Sequence, residues 1–203
     1  RLGGLARELQ GLGHDVSRID VGGGLGVPYR HDQPAPPSPA VYAAMVAEAT
    51  RGWPQRLIFE PGRMIVGNAG VMVAEVILVK EGEQRRFVVT DAGMNDLLRP
   101  SLYNAWHDIR AVRPRPGRMT ATVVGPVCET GDTFAEDREI EAVGSGDLIA
   151  FMTAGAYGAT MASTYNSRPL VPEIMVNGDR WAIVSQRNQP AAMLALDSVA
   201  PWL

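Results

Sequence analysis

The apolar spacing of this chain changes character near Gly70, and no single regular architecture accommodates both sides of the change. Before it, Leu2, Leu5, Leu9 and Leu12 recur at helical spacing and are followed by the stop signals Gly11 and Gly13. Val16, Ile19 and Val21 then make a short apolar run that ends in Gly22-Gly23-Gly24-Leu25-Gly26. A Pro-rich loop from Pro34 to Pro39 follows, in which Ser38 and Pro39 suit an N-cap and a first helical residue. Val41, Met45, Val46 and Ala49 supply that helix with its apolar stripe, and Leu57-Ile58-Phe59 reads as a buried strand ending at Glu60-Pro61-Gly62-Arg63. These are helix–strand units with polar loops after the strands, the place where α/β barrels keep their active sites.

Beyond Gly70 the period shortens. Val71–Val79 and Arg85–Thr90 read as a hairpin across Glu81-Gly82-Glu83. Further strands are expected at Thr120–Val124, Leu148–Met152, Glu173–Val176 and Trp181–Ser185, the last two joined at Asn177-Gly178. Pro190–Ala195 reads as a short terminal helix. The expected fold class is therefore α/β plus β, with residues 1–69 forming an α/β part and residues 70–203 a β-rich domain.

Composition narrows the function classes. At 203 residues, 46% apolar and 20% charged, the chain can bury a real core. A net charge of −3 supplies no basic field for nucleic acid, and no apolar run reaches the ~18 residues of a membrane span. A single cysteine, Cys128, excludes an intrachain disulfide and suits a reducing, cytoplasmic setting. The basic residues are arginines except for Lys80.

Several short motifs have both a chemical and an ordinary reading. Gly22-Gly23-Gly24 after a strand lets backbone N–H groups approach an anion, or simply makes a tight turn. Glu60-Pro61-Gly62-Arg63 sets an acid and a guanidinium at a strand end, where a surface ion pair is the commoner arrangement. Asp91-Ala92-Gly93-Met94-Asn95-Asp96 leads to Arg99, whose planar fork suits a carboxylate but equally a local carbonyl or Asp96. Gly125-Pro126-Val127-Cys128-Glu129-Thr130-Gly131-Asp132 holds a lone thiol on a rigid turn, catalytic or merely packed. Gly155-Ala156-Tyr157-Gly158 leaves a tyrosine approachable between small residues, as a ligand site or a tight domain contact would require. His14, His31 and His107 lack metal-ligand spacing and are expected in surface or loop roles.

In this order and wording the set Asp20-Val21-Gly22-Gly23-Gly24, Glu60-Pro61-Gly62-Arg63, Asp91–Asp96, Gly125–Asp132 and Gly155–Gly158 resembles the diaminopimelate decarboxylases. These are alanine-racemase-like decarboxylases dependent on pyridoxal 5'-phosphate, related to the ornithine and arginine enzymes. The resemblance runs through essentially the whole chain and corresponds to about the C-terminal half of such an enzyme. It implies the end of a (β/α)8 barrel followed by a mostly β domain, in a homodimer with shared active sites, acting on a small amino acid. It further implies that Gly22, Gly23 and Gly24, with the backbone at Gly62 and Arg63 and with Tyr157, hold the cofactor phosphate. By the same resemblance Glu60 pairs with the pyridinium nitrogen, which as a protonated ring is the electron sink of the reaction.

The resemblance also assigns Arg63, Arg99 and Tyr103 to the substrate's distal carboxylate, Glu129 to its distal ammonium group, and Cys128 to proton donation across the interface. Tyr157 borders the same substrate space. Cys128-Glu129 sides with diaminopimelate, since ornithine-type relatives resemble Cys-Asp there. The family's Schiff-base lysine and ring-stacking histidine correspond to positions before Arg1, so the chain by itself is expected to be inactive. Decarboxylation of another basic amino acid or polyamine precursor, and a non-catalytic dimerising role, are the alternatives. Racemisation is disfavoured by Glu60, because racemase-like sites resemble an Arg at that point.

Overall fold

A computed structural model of the protein describes residues 1–202. Residues up to Ala69 form α1 (Leu2–Gly11), β1 (Arg18–Asp20), α2 (Pro39–Ala49), β2 (Arg56–Ile58), α3 (Gly62–Val66) and a 3-10 turn, Gly67–Ala69. β1 and β2 are parallel, with Arg18 opposite Arg56 and Asp20 opposite Ile58. Ser38 caps α2 as its sequence predicts, its hydroxyl accepting from the Val41 N–H at 3.3 Å.

The expected burial of Leu57-Ile58-Phe59 does not hold. Leu57 is half-buried, while Ile58 and Phe59 are 39% and 43% exposed. A parallel strand is buried on both faces only where helices cover the sheet and neighbours flank it. Here β1 and β2 form a two-stranded sheet with no third strand among the described residues. Leu2, Leu5 and Leu12 also remain exposed, and α1 instead turns Gly3 and Ala6 inward. Gly3 lies so close to the Trp53 ring that a Cβ would come within 2.5 Å of it.

The remaining chain builds a six-stranded sheet from β3 (Met72–Glu81), β4 (Arg86–Thr90), β5 (Ile109–Ala111), β6 (Arg118–Val124), β7 (Thr133–Glu141) and β8 (Leu148–Phe151), in the order β5-β8-β3-β4-β6-β7. Only β4 and β6 are parallel neighbours; the other pairs are antiparallel. A short helix, α4 (Arg99–Tyr103), follows β4. The anticipated C-terminal hairpin is β9 (Glu173–Asn177) and β10 (Arg180–Ser185), and α5 (Pro190–Leu194) is the terminal helix. Asn177 stays in the ladder opposite Arg180, so the two turn residues are Gly178 and Asp179, with Gly178 at φ +63°.

Alternating side chains of the large sheet converge on one core. Val76, Val88, Val123, Ile149 and Phe151 are wholly buried, and the Phe134 and Phe151 rings meet at 4.5 Å between centroids. The edges of the sheet curl toward each other and are bridged by side chains. Glu141 of β7 accepts from the Ala111 N–H of β5 at 2.6 Å, and Arg138 of β7 donates to the His107 carbonyl at 2.6 Å.

β5 and β7 are the two strands that apolar patterning misses. β7 reads Thr-Phe-Ala-Glu-Asp-Arg-Glu-Ile-Glu, and only Phe134, Ala135 and Ile140 in it are buried. Its remaining charges suit an edge strand, where they discourage pairing with another chain.

The strand directions place the loops after β4, β6 and β8 on one rim. The ends of β4, β6 and β8 and the starts of β3, β5 and β7 lie together, because Val89 pairs with Val124, Val124 with Thr133, and Phe151 with both Met72 and Ile109. Phe151→Ala should destabilise the protein by about 3–5 kcal/mol through loss of buried ring and the cavity left behind. Urea denaturation followed by circular dichroism measures this, and a shift below 1 kcal/mol would contradict the packing described.

Candidate active site at the sheet rim

The glycine loop is fixed against the Glu60 turn by backbone contact. Val21 N–H donates to the Ile58 carbonyl at 3.0 Å and Glu60 N–H to the Gly22 carbonyl at 2.9 Å, extending the β1–β2 pairing into both loops. A Cβ on Gly23 would come within 2.1 Å of the Glu60 carbonyl oxygen, so no other residue fits without moving the turn. Gly22 and Gly24 have φ of +74° and +90°, and the space where each Cβ would project is open. The Glu60 carboxylate is exposed and has no partner among the described residues.

Gly155 settles the ambiguity of the Gly-Ala-Tyr-Gly segment in favour of a tight contact that also builds the site. A Cβ on Gly155 would lie 2.0 Å from the Val66 carbonyl oxygen, and one on Gly70 would lie 2.6 Å from the Gly155 Cα. Ala154 N–H donates to Gly70 at 2.8 Å and Gly155 N–H to Gly67 at 3.1 Å. This stitching brings Arg63 of α3 and Tyr157 together, with the guanidinium carbon 6.0 Å from the ring centroid. Tyr157 itself sits at φ +64°, an unfavourable region for a residue with a side chain.

Arg99 is drawn into the same cluster. It is 9% exposed, and its guanidinium carbon lies 4.9 Å from the Tyr29 ring centre and 5.7 Å from that of Tyr157. Its Nη1 is 3.2 Å from His107 Nε2, while His107 Nδ1 is 2.8 Å from the Met152 carbonyl. A guanidinium only donates and a carbonyl only accepts, so the ring is neutral with its proton on Nδ1. Burial, and then the nearby charges of Arg99 and Arg138, hold the His107 pKa below its ordinary value, while the bond to Met152 opposes them. His107 does lie in a loop, between α4 and β5, but the expected surface role is corrected: the residue is 1% exposed, because Tyr29, Arg99 and Met152 close around it. Nor does Arg99 pair with Asp96, which faces Arg168 at 3.5 Å.

Tyr29 and His107 are members of the cluster that sequence reading did not assign to a site. Their environment is held by an adjoining stack in which Arg30 and Arg138 lie 4.0 and 3.4 Å from the Trp106 ring centre. The Trp106 indole N–H donates to Asp108 at 2.6 Å, and His31 meets the other oxygen of that carboxylate at 3.0 Å. Burial, opposed by Asp108, draws the Arg138 pKa down to about 10. Two polar atoms of the cluster are buried without a partner, Tyr29 Oη and Arg63 Nε. Such atoms cost stability unless a further group meets them.

Cys128 and Glu129 are exposed on the loop between β6 and β7. The loop is held from beneath by Asp132, which is 3% exposed and accepts at 2.6 Å from Met94 N–H through Oδ1 and at 2.6 Å from Val127 N–H through Oδ2. Gly125 is required there, since a Cβ would come within 2.4 Å of the same carboxylate. Burial raises the Asp132 pKa, and the two N–H donors act against that rise. On α4, Ser101 donates to the Gly131 carbonyl at 2.6 Å, from the face opposite Arg99. Tyr103 is 60% exposed on the Arg99 face. No hydrogen bond or ion pair among the described residues joins Cys128 or Glu129 to Arg63, Arg99 or Tyr157.

Lys80 is exposed near the far end of β3, opposite Phe87, eight residues beyond Met72 and so roughly 26 Å from the rim at the rise of an extended strand. Among the described residues no group of three or more His, Cys, Asp or Glu is arranged to hold a metal, and no helix is long and apolar enough to cross a membrane.

Arg99, Arg63 and Tyr157 thus meet where α3, α4 and the loop after β8 come together. The glycine loop and the unpaired Glu60 sit on the turn that leads into α3, an arrangement of the kind that could receive a small, charged organic ligand. A family model described as "Pyridoxal-dependent decarboxylase, C-terminal sheet domain" matches residues 19–155, and the chain belongs to that family. It is 52% identical over 195 residues to the diaminopimelate decarboxylase of Zymomonas mobilis, covering 96% of this chain and 46% of that protein. With the Vibrio cholerae diaminopimelate decarboxylase it shares 47% identity over 203 residues, 99% of this chain and 48% of that one. The crystal structure of Helicobacter pylori diaminopimelate decarboxylase complexed with L-lysine superposes with a TM-score of 0.86 at 40% identity, covering 96% of this chain and 48% of that chain. The chain therefore spans about half the length of these relatives.

Asp132→Ala should cost about 2–6 kcal/mol, since it leaves the Met94 and Val127 N–H groups buried without acceptors. Chemical denaturation tests this, and a variant as stable as the parent would show that the carboxylate does not hold the two loops.

Proposed function

We propose that the complete protein carrying this chain converts meso-2,6-diaminopimelate to L-lysine and CO2 with pyridoxal phosphate. The observation that carries the reading is Arg99, a buried guanidinium on the rim with no carboxylate partner among the described residues. A substrate with a second α-amino acid end brings a carboxylate for Arg99, Arg63 and Tyr103, and an ammonium group for Glu129. Ornithine brings only the ammonium group, so a buried cation would be left without purpose.

The residues present suit the cofactor. Open space at Gly22 and Gly24 and the partnerless Arg63 Nε fit an anionic phosphate, joined by Gly62 and Tyr157. The unpaired Glu60 carboxylate is the group that would keep a ring nitrogen protonated. When bound, the group supplies the electron sink that makes loss of CO2 from an α-carbon feasible. Cys128 holds a proton on its thiol and delivers it to the carbon that has lost CO2. Its exposure, apart from Arg99 and Tyr157, supports delivery into the site of a second subunit in a homodimer. Residues 1–69 then form the C-terminal part of the barrel and residues 70–203 the β-rich domain, Leu203 lying outside the described residues. The distance of Lys80 from the rim supports the reading that this chain alone is inactive, and the single cysteine supports cytoplasmic placement.

Lysine and CO2 formation from meso-diaminopimelate by the complete protein tests the reading. Turnover of ornithine or a polyamine precursor instead would sink it. Cys128→Ala should keep cofactor absorbance while turnover falls about 10²–10⁴-fold, the range for loss of a positioned proton donor. Unchanged turnover would make the thiol structural.

A further inference from the structure

Arg99 has a resident partner that is polar yet uncharged. His107 offers Nε2 to the guanidinium at 3.2 Å, is itself anchored through Nδ1 to the Met152 carbonyl at 2.8 Å, and packs edge-on against Tyr29 with ring centroids 5.6 Å apart. The partners given to Arg99 are thus one nitrogen lone pair and two aromatic faces. A carboxylate in place of His107 would orient the guanidinium equally well, but it would neutralise the charge that an incoming anion must feel. An apolar residue would preserve the charge and lose the orientation.

We infer that His107 is a positioning residue that fixes the Arg99 fork while leaving its charge uncompensated, and so sets the preference for ligands with a distal carboxylate. The inference rests on the reading of Arg99 as the contact for that carboxylate. His107 stays in the role because burial between Arg99 and Arg138 disfavours its protonated form. Protonation would set an N–H against an N–H and remove the acceptor.

The test uses the complete, cofactor-loaded protein and two variants of nearly equal shape, His107→Gln and His107→Glu. Both offer an oxygen to Arg99, and only the second brings a charge. His107→Gln should keep KM for meso-diaminopimelate within about threefold of the parent, as expected if any neutral acceptor suffices. His107→Glu should raise that KM about tenfold or more over His107→Gln, with kcat reduced less than threefold, since the resident carboxylate competes for a charge-assisted bond. Inhibition by cadaverine, which has no carboxylate, should be unchanged or tighter in both. L-lysine keeps the distal carboxylate after CO2 leaves the other end and should weaken along with diaminopimelate in His107→Glu. Equal KM values for the two variants, or equal weakening of cadaverine and diaminopimelate by His107→Glu, would overturn the inference. If either long variant fails to fold, His107→Asn and His107→Asp carry the same expectations and the same refutation. A parent protein inactive on meso-diaminopimelate would refute the proposed function, whereas an active parent with indistinguishable variants refutes only the role of His107.

Discussion

A single buried carboxylate holds the working rim together. β4 and β6 run parallel, so the loops after Thr90 and Val124 leave the sheet side by side, and nothing in the ladder beyond them fixes their relative position. Asp132 does so by accepting an N–H from each loop. The arrangement has a cost, visible in the upward pull of burial on its pKa, and the two donors offset it. Around this tie, Asn95, Asp96 and Arg168 lock the rest of the Asp91–Asp96 loop, with Arg168 Nε donating to Asn95 at 2.9 Å and Nη2 to the Asp91 carbonyl at 2.5 Å. α4 is then launched in one direction only, with Ser101 facing the Cys128 loop and Arg99 facing inward.

Charge is handled differently on the two sides of α4. Toward the Cys128 loop, polar groups are paired within the chain, and Cys128 and Glu129 project from a finished structure. Toward Tyr157, buried groups remain incompletely partnered: Arg99 on a neutral histidine, Arg63 with one unmet nitrogen, Tyr29 with an unmet hydroxyl. Folded proteins seldom leave such groups unmet without a functional reason. The asymmetry is what the proposed function requires, with one side of α4 receiving a ligand and the other contributing to a neighbour's site.

Much of the fold was legible because it depends on local pattern. Ser38-Pro39 announced α2, the Glu81-Gly82 region announced the β3–β4 hairpin, and the shift near Gly70 marked where parallel helix–strand units give way to the large sheet. What failed depended on neighbours distant in sequence. Leu57-Ile58-Phe59 has the composition of a buried strand, yet burial requires flanking elements that no tripeptide encodes. β7 was hidden because an edge strand presents charges on one face and tolerates Glu-Asp-Arg-Glu in a row. Residue by residue, the motif positions around Arg63, Arg99 and Tyr157 do come together. His107 did not declare itself, because its burial is created by Tyr29 from one part of the chain and Met152 from another. A usable signal existed in its eight-residue separation from Arg99 across the αL residue Asn104, which reverses the chain at φ +51°.

The contact between Gly70 and Gly155 has a bearing on how such a site endures through evolutionary drift. Tyr157 is aimed by two stretches of main chain pressed together, with no side chain between them. Substitutions in the surrounding core alter volumes that neighbouring side chains can absorb, whereas the aim of Tyr157 relies on atoms that every residue type shares. The steric constraint thereby falls on two positions, Gly70 and Gly155, where a side chain would strike main chain. The geometry of the rim can persist while the sequence that surrounds it diverges.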